Sequence, residues 1–85
     1  MAKTIIWNRR ASNSFNKIIE YLQNEWGEKV THNFVNRAYQ IIEFIAEHPE
    51  IGTIENEEKF IRGFLITKHN TLFYRIEDNK IRKMN

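Results

Sequence analysis

His48-Pro49-Glu50-Ile51-Gly52 divides this chain of 85 residues into two parts that follow different periods. Before it, apolar residues recur every three or four positions; after it, they alternate. Proline lacks a backbone N–H and pushes the residue before it away from helical angles, so a helix arriving from the N-terminal side has to stop at His48.

Upstream of the stop, Val30, Phe34, Ala38, Ile41, Ile42 and Ile45 form one helical stripe, with Val35 and Phe44 on its flanks. Glu28 opens this helix with a charge that suits its positive end. A preceding helix begins near Ala11, with Asn8 or Ser12 to cap it, and carries Ala11, Phe15, Ile18, Ile19, Leu22 and Trp26 on its own stripe. Gly27 alone separates the two, which predicts a tight antiparallel hairpin. Tyr21 and Tyr39 fall off the stripes and are expected to be partly exposed. Before the hairpin, Ile5, Ile6 and Trp7 read as a short strand at a sheet edge.

Downstream, Glu55 to Lys59 reads as a polar loop. Strands follow over Phe60 to Thr67, Thr71 to Ile76 and Lys80 to Met84, joined by turns at Lys68-His69-Asn70 and Glu77-Asp78-Asn79. The expected architecture is a two-layer α+β domain over residues 1–85, in the order β-α-α-β-β-β, with the helical hairpin packed on an antiparallel sheet. Two helices cover one sheet face only. Alternation is read with Ile61, Leu65, Leu72, Tyr74, Ile76 and Ile81 toward the helices, leaving Phe60, Arg62, Phe64, Ile66, Phe73, Arg75 and Arg82 on the other side. Aromatics mixed with arginines suit a contact surface, so Phe60, Arg62, Phe64, Phe73, Arg75 and Arg82 are the expected partner-binding residues.

Charge is divided as sharply as period. Residues 1–58 hold six Lys/Arg against nine Asp/Glu, and residues 59–85 hold seven against two, so a chain of net charge +2 has a basic last third. Such a segment attracts phosphates or an acidic protein. With 41% hydrophobic and 28% charged residues the composition is that of a folding protein. The absence of cysteine excludes disulfides and thiolate metal sites and suits a reducing cytoplasm. His32 and His48 stand far apart with no further ligand pattern, so no metal and no cofactor is expected. No stretch approaches the ~18 apolar residues of a membrane span, and Asn8-Arg9-Arg10 interrupts the start too early for a signal peptide.

The opening strand with Trp7, the helix with Ala11, Phe15, Ile18 and Tyr21-Leu22, Pro49-Glu50-Ile51-Gly52, Ile61-Arg62, Phe73-Tyr74-Arg75-Ile76 and Lys80-Ile81-Arg82 together resemble the toxins typified by RelE and ParE. The resemblance spans nearly the whole chain and implies the toxin of a bacterial type II toxin–antitoxin module, held inactive by its antitoxin. The long helical hairpin followed closely by Pro-Glu-Ile-Gly is more similar to the ParE-like branch, which implies inhibition of DNA gyrase without catalysis. A RelE-like alternative implies a ribosome-dependent mRNA endoribonuclease, for which Arg62, Arg75 and Arg82 are the candidate catalytic residues, supplying cationic stabilisation. Relatives commonly continue past the last strand where Lys83-Met84-Asn85 follow here, so a shortened toxin that only binds antitoxin is the third expectation.

Overall fold

A computed structural model describes residues 2–85. In chain order the elements are β1 (Thr4–Trp7), α1 (Arg9–Trp26), α2 (Glu28–Glu47), a 3-10 turn (Pro49–Ile51), β2 (Thr53–Asn56), β3 (Ile61–Thr67), β4 (Asn70–Ile76) and β5 (Lys80–Lys83). The strands form one sheet in the order β1-β5-β4-β3-β2, with the helical hairpin on one face. β1 lies at an edge, as expected, but runs parallel to β5, so the sheet is mixed. The segment expected to be a loop from Glu55 lies partly within β2, which pairs antiparallel with β3 across a bulge between Ile54 and Asn56. Four residues, Thr-Ile-Glu-Asn, carry no alternation strong enough to announce a strand; pairing with β3 creates it.

The hairpin follows local chemistry. The Asn8 side chain accepts from the Ala11 N–H at 2.7 Å, capping α1. Gly27 takes φ 85° and donates its N–H to the carbonyls of Leu22 and Gln23, closing α1 in the conformation that glycine adopts without strain. The Thr31 hydroxyl returns to the Gly27 carbonyl at 2.8 Å, and Thr31, rather than the expected Val30, is buried. Trp26 was expected on the buried stripe and is 65% exposed. The reason is length: helices of 18 and 20 residues run ~27–30 Å, whereas β1 and β5, at four residues each, run ~13 Å. The hairpin tip therefore overhangs the sheet, leaving Ile18, Ile19 and Leu22 half-buried. The core lies between α2 and the sheet centre, where Phe34, Ala38, Ile41, Ile42 and Ile45 meet Ile66, Leu72, Tyr74 and Ile81.

One register expectation fails. β3 opposes Arg62 to Tyr74 and Phe64 to Leu72, so Arg62, Phe64 and the buried Ile66 face the helices, while Ile61 and Leu65 face away. Both parities of β3 are apolar, so alternation does not choose between them. Tertiary partners do: α2 sends Arg37 Nε to the Ile66 carbonyl at 2.6 Å, beside the bulge between Leu65 and Thr67. Arg62 turns inward to carbonyls at the end of the helical layer, described below.

Tyr74 joins the layers. Its side chain is wholly buried; the hydroxyl donates to the Pro49 carbonyl at 2.7 Å and accepts from the Gly52 N–H at 3.0 Å. A Cβ on Gly52 would lie 2.6 Å from that hydroxyl and 2.8 Å from the Gly63 carbonyl, so the turn accommodates only glycine at 52. Tyr74→Phe, which leaves a buried N–H without an acceptor, is expected to cost about 1–3 kcal/mol. Gly52→Ala, which overpacks the same joint, should cost a similar ~1–3 kcal/mol, and the double variant less than the sum. Urea denaturation measures all three; additive losses would show that the two residues do not share one joint.

Candidate functional site

The residues expected to bind a partner do not form one face. Phe73, Arg75 and Arg82 lie on the open face with Ile61, Gly63 and Leu65. Phe73 is half-buried because its ring lies over Gly63, where ring carbons come within 3.2–3.3 Å of the position a Cβ would take. Arg62 and Phe64 are on the helix-facing side, and Phe64 packs against the core. Phe60 belongs to neither: it sits in the β2–β3 turn with φ 58° and its side chain 66% exposed.

The three arginines are already engaged. Arg62 donates through one terminal nitrogen to the carbonyls of Glu50, at 3.1 Å, and Gly52, at 2.8 Å, securing the turn that Tyr74 holds from the other side. Arg75 Nε donates to the Lys59 carbonyl at 3.1 Å. Arg82 forms a two-contact ion pair with Glu77, at 2.9 and 3.4 Å, the one ion pair among the described residues. That contact holds the Glu77 carboxyl below its usual range and the Arg82 guanidinium above its own. Burial raises the Tyr74 pKa, opposed by the Gly52 hydrogen bond and the charge of Arg62, and its hydroxyl is committed to two backbone groups. His69, in the β3–β4 turn, is separated from Arg62 by the length of β3, ~20 Å. Arg62 and Tyr74 thus brace the turn after α2 on the helix-facing side, while Arg75 and Arg82 lie on the open face.

Lys83 is a feature that reading the last residues as a solvated basic end misses. It is 2% exposed, with its ammonium 4.3 Å from the centre of the Trp7 ring and 5.3 Å from that of Phe15, and it donates to the Asn85 carbonyl. The aromatic faces attract the cation that burial penalises. The Asn85 side chain meanwhile accepts from the Phe73 N–H at 2.7 Å and donates to the Thr71 carbonyl at 2.8 Å, pairing along β4 as a strand backbone would. A signal for Lys83 was present in the alternation, since Ile81 points to the helices and Lys83 follows it by two.

With this geometry in place, comparison with known proteins is decisive. The family described as the ParE toxin of the type II toxin–antitoxin system parDE matches residues 5–82. The chain belongs to the ParE toxin family. It is thus the toxin of a type II module, and its partner is an antitoxin. The fold agrees: a chain from the solved structure of a chromosomal ParDE toxin–antitoxin system of P. aeruginosa superposes with a TM-score of 0.75. That likeness covers 96% of this chain and 90% of the other at 13% identity, so it speaks for the fold alone. No curated protein matches the chain.

In this ParE-family toxin, burial pulls the Lys83 pKa from 10.5 down to about 8. Between these values the unfolded chain holds a proton that the folded chain has released, so stability should rise with pH across that window. Tyr74 acts in the opposite sense above pH 10, where the unfolded chain loses its proton first. Stability is therefore expected to peak near pH 10, roughly 1–2 kcal/mol above its value at pH 7 after allowing for solvent screening and ring attraction. Lys83→Met should be more stable than wild type at pH 7 and lack the rise. Thermal unfolding across pH 6–11 checks this; an unchanged rise in the variant would assign it to another group.

Proposed function

We propose that the chain inhibits DNA gyrase in the bacterial cytoplasm and that its antitoxin silences it by covering the open sheet face. The observation that carries this is ParE-family membership across residues 5–82. The internal bonding of Arg62, Tyr74 and Arg82 supports it, because these groups are tied up as braces rather than assembled as acid, base and phosphate clamp. No helix among the described residues is long and apolar enough to cross a membrane, which is compatible with the proposed location.

For the antitoxin, Ile61, Leu65 and Phe73 offer apolar area beside Arg75 and Arg82, which stand directly opposite each other on neighbouring strands. Like charges so placed repel. Glu77 neutralises Arg82, and the terminal nitrogens of Arg75 have no partner among the described residues, so a carboxylate of the antitoxin is the natural complement. Phe73, Arg75 and Arg82 thus remain the proposed contacts on this face, with Phe60 beside it, while Arg62 and Phe64 serve the interior.

Induction of the chain in a bacterium without antitoxin should trigger the DNA-damage response, and the purified chain should inhibit supercoiling by gyrase. Translation arrest with cut messages would instead mark a ribosome-dependent endoribonuclease. No effect, with antitoxin binding intact, would mark a binder only. Arg75→Ala is expected to weaken antitoxin binding by about 1–3 kcal/mol in titration calorimetry, whereas Lys17→Ala, on the exposed side of α1, should change it little.

A further inference from the structure

Beyond the end of α2 the helices no longer cover the sheet, and an apolar groove of about 290 Å³ opens there. Ile54, Phe60, Ile61 and Ile76 supply its apolar walls, with Glu50 and Arg62 at its mouth. It continues past Glu50 and Ile76 toward Pro49 and Ile51. Small-molecule sites are mostly enclosed, whereas this groove is open along its length, so it suits a large side chain of a partner segment better than a free ligand.

Two further observations mark the same place. β2 is the outermost strand, all four of its residues are exposed, and among the described residues its backbone makes no hydrogen bond except to β3. An uncovered edge of this kind is a template for an added strand. Phe60, moreover, holds φ 58°, which is strained for a bulky side chain, and gains little burial in return. Its main chain is fixed by bonds from its N–H to the Glu57 carbonyl at 3.3 Å and to its carbonyl from the Ile76 N–H at 3.0 Å. The ring is held out over the groove.

Charge names the occupant. Glu50 and Glu57 line the groove, Glu55 stands on the β2 edge strand and Glu58 in the turn after it, none of them in an ion pair; against these four, residues 50–62 hold only two cations, the exposed Lys59 and Arg62, and Arg62 is turned into backbone carbonyls. A second copy docking edge to edge would bring these glutamates together, and an acidic segment or nucleic acid would be repelled. We propose that the β2 edge and the Phe60 groove receive an extended, cationic segment of the antitoxin, one large apolar side chain of which fills the groove. This rests on the antitoxin reading above and deepens it: the open face with Arg75 complements acid and the β2 edge complements base, so the antitoxin reverses its charge along the length that wraps the toxin.

The test uses Phe60→Gly, which relieves the positive φ and removes the ring, with Glu50→Gln/Glu57→Gln as a second variant. Two ten-residue probes, alternating leucine with lysine and leucine with glutamate, are titrated against each protein and followed by amide chemical shifts, alongside the full antitoxin. The lysine probe should shift residues 53–56, 60 and 76, and the glutamate probe should leave them in place. Phe60→Gly should fold at least as stably as wild type yet bind the lysine probe and the antitoxin at least fivefold more weakly. The glutamine pair should lose most of the salt dependence of binding. Equal binding of both probes, unchanged antitoxin affinity in Phe60→Gly, or a wild-type dimer that Phe60→Gly dissolves would each overturn the proposal. If the lysine probe binds as expected while no antitoxin neutralises the chain, the groove stands and the antitoxin reading fails.

Discussion

The Tyr74 hydroxyl, placed between the Pro49 carbonyl and the Gly52 N–H, is the contact on which the relation between the two layers depends. A helix that stops at a proline leaves terminal carbonyls without helical partners, and these must be satisfied elsewhere. At the end of α2 the His48 and Lys3 N–H groups serve the Phe44 and Ala46 carbonyls, and the Pro49–Ile51 turn that follows takes its partners from the sheet. Tyr74 reaches up from β4 and Arg62 from β3, so the chain reversal after α2 is bound from two strands at once. Glycine at 52 is what lets the hydroxyl come close enough. In a domain of this size, with a core limited to one sheet face, a few buried polar joints of this kind fix the geometry that apolar packing alone leaves loose.

That economy explains why the basic last third is less available than its composition suggests. Arg62, Arg82 and Lys83 each make internal contacts, with carbonyls, with Glu77, and with the rings of Trp7 and Phe15. What remains for a partner is partly uncommitted, as in Arg75, or lies outside the basic third altogether, as in the glutamates beside β2. The surface thus carries two signs at two places, and the apolar positions between them, Ile61 and Phe60, sit where the sheet passes beyond its helical cover. A partner long enough to span both places meets both signs in turn.

The helical hairpin was legible because each of its features is local: Asn8 caps, Gly27 reverses the chain, and Phe34, Ala38, Ile41 and Ile45 repeat within one helix. β3, β4, β5 and the buried Tyr74 were legible for the same reason, since period two is written along a single strand. β2 was not, because a four-residue strand with a single apolar side chain exists only through its neighbour. The inward side of β3 was not, because Phe64 and Leu65 are equally apolar and only Arg37, Tyr74 and the bulge after Leu65 break the tie.

By itself, then, the sequence determined where helices end, which residues alternate, how charge divides along the chain, and the family that this order resembles. The first two follow from backbone sterics and side-chain periodicity within a few residues, the charge division from composition, and the resemblance from the order of motifs along the whole chain. Only the tertiary structure decided that β1 runs parallel to β5, that Arg62 is a brace rather than a free cation, that Lys83 is buried beneath two rings, and that Phe60 is held outward. Those outcomes depend on hydrogen bonds and contacts between residues far apart in the chain, whose geometry no local preference contains.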